Sequence, residues 1–536
     1  MNLKYRISIL LSTVIFVALA SFNTGNQQLK KPNILFVISD DQSFGHTSFA
    51  GSTFINTPGF DRIAREGVYF KNCYAGSPGC APSRSALITG RYPWQNEQSG
   101  QHASSWMKKY VPFVDELEAN GYSTGRTGKG VSPFQYARNT MDSLWRETNA
   151  AGKTHSSIKY DGDTLNLPTR NMSAIDYFEN FKYFIENISS KEPFFFWFGA
   201  SEPHRAYEKG SWKRFGKKLA DVKVPGFLPD TEEIRADLLD YAVEIEWFDS
   251  HLQKMITYLE EIGELENTII IVTSDNGMPF PRAKANSFEY GVHVPLAIRY
   301  PKKFSAGRTV YDRIGFVDFA PTLLEITATE PKTMMPISGK SFLNILESDR
   351  DGTIDKVRKY SFVGRERHSS SRYRNLGYPQ RGVFSEEYAF IWNMQPERWP
   401  AGAPQKYDSN DTTVLLPIYG LNNQGSYITD AAFTDVDDCP TKTYIIENKE
   451  TDSIARFFDY SYGKRPEFEL YNIKIDPYCL TNLAGNSEFL SIESKLRKIL
   501  LEELYKSKDP RIVGPDKEVF ESYKRYSRIR KFPKPL

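Results

Sequence analysis

Three apolar runs, each ending in acidic or amide side chains, constrain this chain more than any other feature in it. Asn33 to Ser39 (NILFVIS) and Thr268 to Ser274 (TIIIVTS) are near-continuous aliphatic and β-branched stretches, and Pro193 to Ser201 (PFFFWFGAS) is a third. Runs without polar alternation are the mark of strands covered on both faces of a sheet. The first passes directly into Asp40-Asp41, the second into Asp275-Asn276 and the third into Glu202-Pro203-His204. Open α/β sheets bind ligands beyond the carboxyl ends of their strands, so these three predict one edge furnished with polar groups. Between them lie helical segments, the clearest from Thr231 to Ile262, with Asp230 and Glu233 spaced as a capping box and Gly263 at the stop. The alternation predicts a layered α/β domain.

At 536 residues the chain is too long for one ordinary core, and its texture changes after about residue 350. There a polar stretch opens with His368-Ser369-Ser370-Ser371. Hairpin strands are then expected around Val383 to Asn393 and a last helix around Ser491 to Ser507. The expected division is a larger domain over 31–350 and a smaller α+β domain over 351–536 that contributes to substrate binding. The basic end, KRYSRIRKFPKPL, reads as a solvated surface tail. At the other end, Lys4 and Arg6 precede an apolar run from Ile7 to Ala20 that closes on Ala18-Leu19-Ala20, the pattern of a signal peptide over 1–20. The run is too short for a membrane anchor, so the expectation is export to the periplasm or medium. A net charge of +2 supports neither a nucleic-acid partner nor an anionic membrane surface. Four cysteines are sparse for an exported chain of this size. Cys439 and Cys479 can pair, and Cys73 sits among aromatics as an inert buried thiol.

Cys80 reads differently. Residues 80 to 91 are CAPSRSALITGR, that is Cys-x-Pro-Ser-Arg followed by Thr-Gly-Arg. This segment resembles the signature of the type I sulfatases. Gly121 to Lys129 (GYSTGRTGK) is similar to a second segment of that family, and Glu469-Leu470-Tyr471, Asp476-Pro477 and Asn482-Leu483-Ala484 are similar to its closing segment, so the likeness spans nearly the whole mature chain. It implies an alkaline-phosphatase-like sheet domain with a smaller C-terminal α+β domain. It further implies that a separate maturation enzyme oxidises Cys80 to formylglycine, whose hydrate supplies the nucleophile. A geminal diol is useful because one hydroxyl attacks sulfur while deprotonation of the other later expels sulfate.

Oxygen donors at Asp40, Asp41, Asp275 and Asn276 suit calcium better than zinc, and the resemblance makes these four its ligands, with the residue formed from Cys80 as a fifth. It assigns Lys129 and Lys284 to the sulfate, His204 to the ester oxygen as general acid, and Arg84 to the hydrate of residue 80; Asp275 is placed to accept the proton that triggers sulfate release. Many sulfatases carry a histidine two residues after the first lysine. Here that position is Val131. Arg282, Arg365, Arg367, His368 and Arg372 are candidates for reading carboxylates or sulfates of a glycan, with a solvated charge cluster as the alternative. Ser274 to Pro281 (SDNGMPFP) looks like the branch containing sulfoglucosamine sulfohydrolase and bacterial ulvan-type sulfatases. The expected substrate is therefore a sulfated polysaccharide, ulvan first and heparan N-sulfate second. A non-catalytic sulfated-glycan-binding protein would keep the arginines without needing Cys80. A two-metal phosphatase of the same superfold would use Ser or Thr and more than the seven histidines present.

Overall fold

The computed structural model describes residues 30–137, 143–160, 167–189, 191–428 and 430–535. The expected signal peptide lies outside them. The apolar runs become strands with little change of boundary: β1 is Asn33–Ser39, β4 Phe194–Gly199 and β5 Thr268–Ser274. The reason for their unbroken hydrophobicity is visible in β1. Ile34, Phe36 and Ile38 enter one core, whereas Leu35 and Val37 enter another. Successive strand side chains point to opposite faces, so a strand covered on both sides has no place for a polar residue.

The main sheet has eight strands in the order β3-β4-β1-β5-β7-β2-β6, with β8 also paired to β2. The remaining members are β2 (Val68–Tyr74), β3 (Ser123–Gly128), β6 (His293–Val294), β7 (Leu296–Arg299) and β8 (Arg308–Gly315). β3, β4, β1 and β5 run parallel, and β7 is antiparallel to β5. Helices cover both faces. On one, Phe248 and Leu252 of α5 (Glu232–Glu261) and Phe181 of α4 (Tyr177–Asn187) meet Leu35, Val37, Phe196 and Phe198, next to α1 (Pro58–Arg65). On the other, Leu87 and Ile88 of α2 (Cys80–Thr89) and Val114 and Leu117 of α3 (Phe113–Ala119) meet Phe36 and Trp197. Phe36 and Trp197 stack with ring centroids 4.9 Å apart.

A second, antiparallel sheet runs β12-β11-β10-β9, from β9 (Ser361–Arg365), β10 (Gln380–Phe384), β11 (Tyr388–Asn393) and β12 (Phe468–Asn472). The expected hairpin is β10–β11, and the last expected helix is Leu490–Lys506, whose Leu496, Leu500 and Leu504 pack on Val383, Phe390 and Leu470. Pro32 to Leu536 form one compact unit. No helix among the described residues is long and apolar enough to cross a membrane.

Three sequence expectations change. The cap of α5 is Thr231, whose hydroxyl accepts from the Ile234 amide, while Asp230 pairs with Arg235 instead. All four cysteines are free, so Cys439 and Cys479 are not bonded to each other. The basic tail is not a solvated end: Phe532 is buried, the Tyr526 amide donates to Ala103, and Arg525 donates to the carbonyl of His368. Deleting the Phe36 ring removes buried area and leaves a cavity against Trp197. Phe36→Ala is expected to lower unfolding stability by about 3–5 kcal/mol, read from a urea titration.

Candidate active site

The in-register pairing of β1 with β5 sets Ser39 opposite Ser274, so the residues after each strand emerge side by side. Asp41 takes a positive φ of 79°, a left-handed turn that few side chains adopt readily. In that turn its amide donates to Asp275 Oδ1 at 3.0 Å, and Asn276 Nδ2 donates to Asp41 Oδ1 at 2.6 Å. After β2 the chain turns at Gly79 and starts α2 with Cys80, which places the residue-80 side chain at the positive end of a helix. One turn on, the Ser83 hydroxyl donates to the Asp275 carbonyl at 2.6 Å, and Arg84 Nε donates to Asp275 Oδ2 at 2.7 Å. Arg84 Nη1 also reaches the carbonyls of Lys129 and Gly130, just beyond β3, at 3.0 Å each.

These bonds tie three strand ends and one helix into a buried cluster. Lys129 Nζ donates to Asp40, and Lys284 Nζ donates to both oxygens of Asp41 at 2.5 and 2.6 Å. Burial alone would raise the Asp40 pKa, but Lys129 beside it wins and holds it below the usual carboxylate value. Asp275 moves the other way, raised by burial and by Asp40. Both lysines are held above their ordinary values: burial opposes this, and Asp40 for Lys129 and Asp41 for Lys284 outweigh it. Burial pushes the Cys80 thiol up to about 11. An unmodified Cys80 is therefore protonated at neutral pH and a poor nucleophile as a thiol.

Asp40, Cys80 and Asp275 each offer a donor atom within 4.8 Å of the others, and all three are buried. Two buried oxygens of the neighbourhood, Asp40 Oδ1 and Asn276 Oδ1, have no hydrogen-bond partner in the protein. Orphaned buried acceptors of this kind suit a cation, and an all-oxygen set of carboxylates and an amide suits calcium. Charge points the same way. Asp40, Asp41 and Asp275 face Arg84, Lys129 and Lys284, so the side chains nearly balance, and a divalent ion would turn the cluster into an anion site. Asp40, Asp275 and residue 80 are close enough to share such an ion, and Asn276 keeps an open oxygen, whereas both oxygens of Asp41 are held by Lys284.

His204, beyond β4, has Nδ1 2.7 Å from the carbonyl of Arg205, which makes Nδ1 the donor and turns Nε2 to the site, 3.9 Å from Asp41. Asp437 stands beside it, with a carboxylate oxygen within 4.8 Å of donor atoms of both Asp41 and His204. Sequence reasoning missed Asp437, which lies in Asp435-Val436-Asp437-Asp438 with no strand or signature residue to single it out. Its pKa is lowered to about 2: burial resists, and Lys284 and the histidines His204 and His368 override it. The missing histidine is explained locally. Val131 is fully buried in the main core, with its amide on Asn149. A different histidine approaches the nucleophile turn, since His368 Nδ1 lies 2.7 Å from where a Cβ on Gly79 would stand.

The arginines expected to read a glycan do something else. Arg282, Arg365, Arg367 and Arg372 are all buried, because protein acceptors take up their guanidinium forks. Arg282 donates to the carbonyls of Tyr460 and Cys479 and lies over the Phe288 ring. Arg367 donates to Ser104 and to the Tyr523 carbonyl. Arg365 and Arg372 converge on Asp435 Oδ2 at 2.7 and 2.6 Å. Asp435 also accepts from the amide of Ser369 and the hydroxyl of Ser371, so it pins segment 435–438 to segment 368–372. These residues are struts, and His368 is the one member of the predicted set that lies beside the nucleophile turn.

Residues 32–329, more than half of the chain, match the profile of the Sulfatase family, and residues 283–399 match the one described as N-sulphoglucosamine sulphohydrolase, C-terminal. An ulvan-active sulfatase of Formosa agariphila is 26% identical over 506 residues, covering 88% of this chain and 74% of its own. N-sulphoglucosamine sulphohydrolase of Homo sapiens is 25% identical over 527 residues, covering 90% and 92%. A solved structure of a complex with its substrate D-glucosamine-2-N,6-O-disulfate has a TM-score of 0.59 at 21% identity, covering 90% of this chain and 99% of that one. Phosphonate monoester hydrolase of Agrobacterium radiobacter has a TM-score of 0.60 at 16% identity, covering 90% and 97%. At such identities the structural likeness is one of fold.

Removing Asp435 would strand two buried guanidinium groups. Asp435→Ala is expected to destabilise the fold by about 3–5 kcal/mol in urea titrations and to speed amide exchange across 435–438.

Proposed function

The chain belongs to the sulfatase family, and from that premise we propose that it is an exported enzyme that removes sulfate from a sulfated polysaccharide or its oligosaccharides. The observation that carries this reading is the buried Asp40, Cys80 and Asp275 cluster at the start of α2, with Lys129 on Asp40 and Lys284 on the adjoining Asp41. Residues 1–20 serve as signal peptide, 31–350 as catalytic domain and 351–536 as a smaller domain that contributes to substrate binding. A formylglycine-generating enzyme is the partner that the nucleophile requires.

When present, calcium and the formylglycine hydrate supply charge neutralisation and a hydroxyl nucleophile at neutral pH. The remaining work falls to side chains of this chain. Lys129 and Lys284 hold sulfate oxygens and spread the charge that develops in the transition state. Arg84 orients residue 80 by bracing the backbone of 129–130 and the carboxylate of Asp275 together. Asp275, whose pKa is raised by burial and by Asp40, would be the proton acceptor beside residue 80 once that residue carries a hydroxyl. His204 protonates the departing sugar oxygen through Nε2, since Nδ1 is committed to the Arg205 carbonyl.

Ulvan is the first substrate, supported by the match to an ulvan-active sulfatase. An N-sulfated glucosamine is the second, favoured by the match of residues 283–399 and by the near full-length human relative. Sulfate release from ulvan and heparan oligosaccharides separates the two, and Cys80→Ala is expected to abolish release from either. If Cys80→Ala kept the parent's rate, the sulfatase mechanism would be lost. Mass analysis of the peptide containing residue 80 is expected to show sulfur replaced by a carbonyl oxygen, a net loss, whereas thiol oxidation adds mass.

Three further outcomes follow, two from the side-chain roles and one from the metal. Lys129→Ala and Lys284→Ala are each expected to lower kcat about 100- to 1000-fold in steady-state assays. His204→Ala is expected to slow sugar sulfates far more than an activated aryl sulfate, whose leaving group needs no proton. Calcium chelation is expected to lower both activity and melting temperature, with recovery on adding calcium back.

A further inference from the structure

Among the described residues, two charged or titratable side chains beside the buried cluster are partly exposed: His204, at 34% of its side chain, and Asp437, at 33%. Lys129 is 15% exposed, while Asp40, Asp41, Lys284 and Arg84 are almost wholly enclosed. On the proposed function, a sulfate ester whose sulfur meets the lysines carries its sugar out beside His204, and Asp437 has an oxygen within 4.8 Å of ligand atoms of both Asp41 and His204.

An anion is an odd neighbour for an anionic substrate. Asp437 Oδ2 has no hydrogen-bond partner in the protein, and its nearest cation, Lys284 Nζ at 3.9 Å, is already engaged by both oxygens of Asp41. That oxygen is enclosed on the Lys284 side, so the exposed part of the side chain is the remainder of the carboxylate, which a ligand at the opening can reach. Nor is Asp437 there by looseness of the chain. Two residues earlier Asp435 is held by Arg365, Arg372, Ser369 and Ser371; one residue later Asp438 takes Lys442 and the Tyr427 hydroxyl, and Cys439 Sγ accepts the Lys442 amide at the start of a helix. The backbone is tethered on both sides, so the carboxylate is preorganised.

We propose that Asp437 is a specificity-determining residue whose carboxylate accepts a hydrogen bond from a neutral donor of the sugar, a hydroxyl or N–H group on the carbon next to the sulfated position. The proposal rests on the sulfatase reading above and narrows its substrate class. The preferred sugar carries a free donor beside the scissile sulfate. A second sulfate there both removes the donor and brings a negative charge against Asp437. Charged acceptors make the stronger hydrogen bonds, so loss of the donor is expected to reduce kcat/KM about 10- to 100-fold.

The test compares ratios, which do not depend on the folded or matured fraction of a preparation. Rhamnose 3-sulfate, its 2-deoxy form and its 2,3-disulfate make one set of probes; N-sulfoglucosamine, its 3-deoxy form and its 3-O-sulfate make the other. The parent enzyme is expected to prefer the free hydroxyl over both analogues in the set that it cleaves. Asp437→Ala is expected to bring the hydroxyl-to-deoxy ratio near one. Asp437→Asn, which keeps an acceptor without the charge, is expected to relax mainly the discrimination against the disulfate. Unchanged ratios in Asp437→Ala overturn the proposal and leave the sulfatase reading standing. No sulfate release from any probe by parent enzyme whose residue 80 is the aldehyde overturns both.

Discussion

Register between β1 and β5 is the constraint from which the site follows. Residue-for-residue pairing from Asn33 with Thr268 to Ser39 with Ser274 delivers Asp40 and Asp41 beside Asp275 and Asn276. A slip of one residue would turn every side chain of a strand to the other face and carry the acids apart. What prevents it is the division of β1 between two cores, because Phe36 fits only where Trp197, Leu87 and Phe319 leave room for it. The carboxylates are thus placed by apolar packing and then made tolerable by cations. Asp40, Asp41 and Asp275 would each be costly alone in a buried edge, and Lys129, Lys284 and Arg84 would be equally so. The group is stable as a set.

Much of this was legible in the sequence, for identifiable reasons. A doubly covered parallel strand leaves an unmistakable hydrophobic run, so the three main strands and the acids after two of them are readable directly. The nucleophile segment is local, with Cys80, Ser83 and Arg84 on one helical turn, and local geometry survives in a linear pattern. The arginines of segment 364–372 were not legible in the same way. A guanidinium has five donors and will take whatever acceptors the fold offers, and those were Asp435, the carbonyls of Trp399 and Pro400, and residues of the tail. Asp437 escaped notice because what brings it to the cluster is its approach to Lys284, far away in sequence. The helix cap moved by one residue for a smaller reason: Asp230 found Arg235, and Thr231 did the capping.

A phosphonate monoester hydrolase of the same fold shows that the sheet does not by itself choose the reaction. In this chain the choice is concentrated in what surrounds residue 80. Two lysines pair with Asp40 and Asp41, and a histidine whose Nδ1 is held by a backbone carbonyl turns its other nitrogen towards the same cluster. Connections of the second sheet bring in His368, between β9 and β10, and Asp437, between β11 and β12, so the surroundings of residue 80 are assembled from stretches far apart in the chain.

The burial of Cys80 has a consequence for timing. Its side chain is 1% exposed, and every residue of α2 is buried with it. Any macromolecule that is to rework that thiol must therefore reach it while the helix is still unpacked. If residue 80 is matured as proposed, modification and folding compete, and a chain that folds first seals in an unreactive thiol. Two preparations identical in fold and stability would then differ in specific activity.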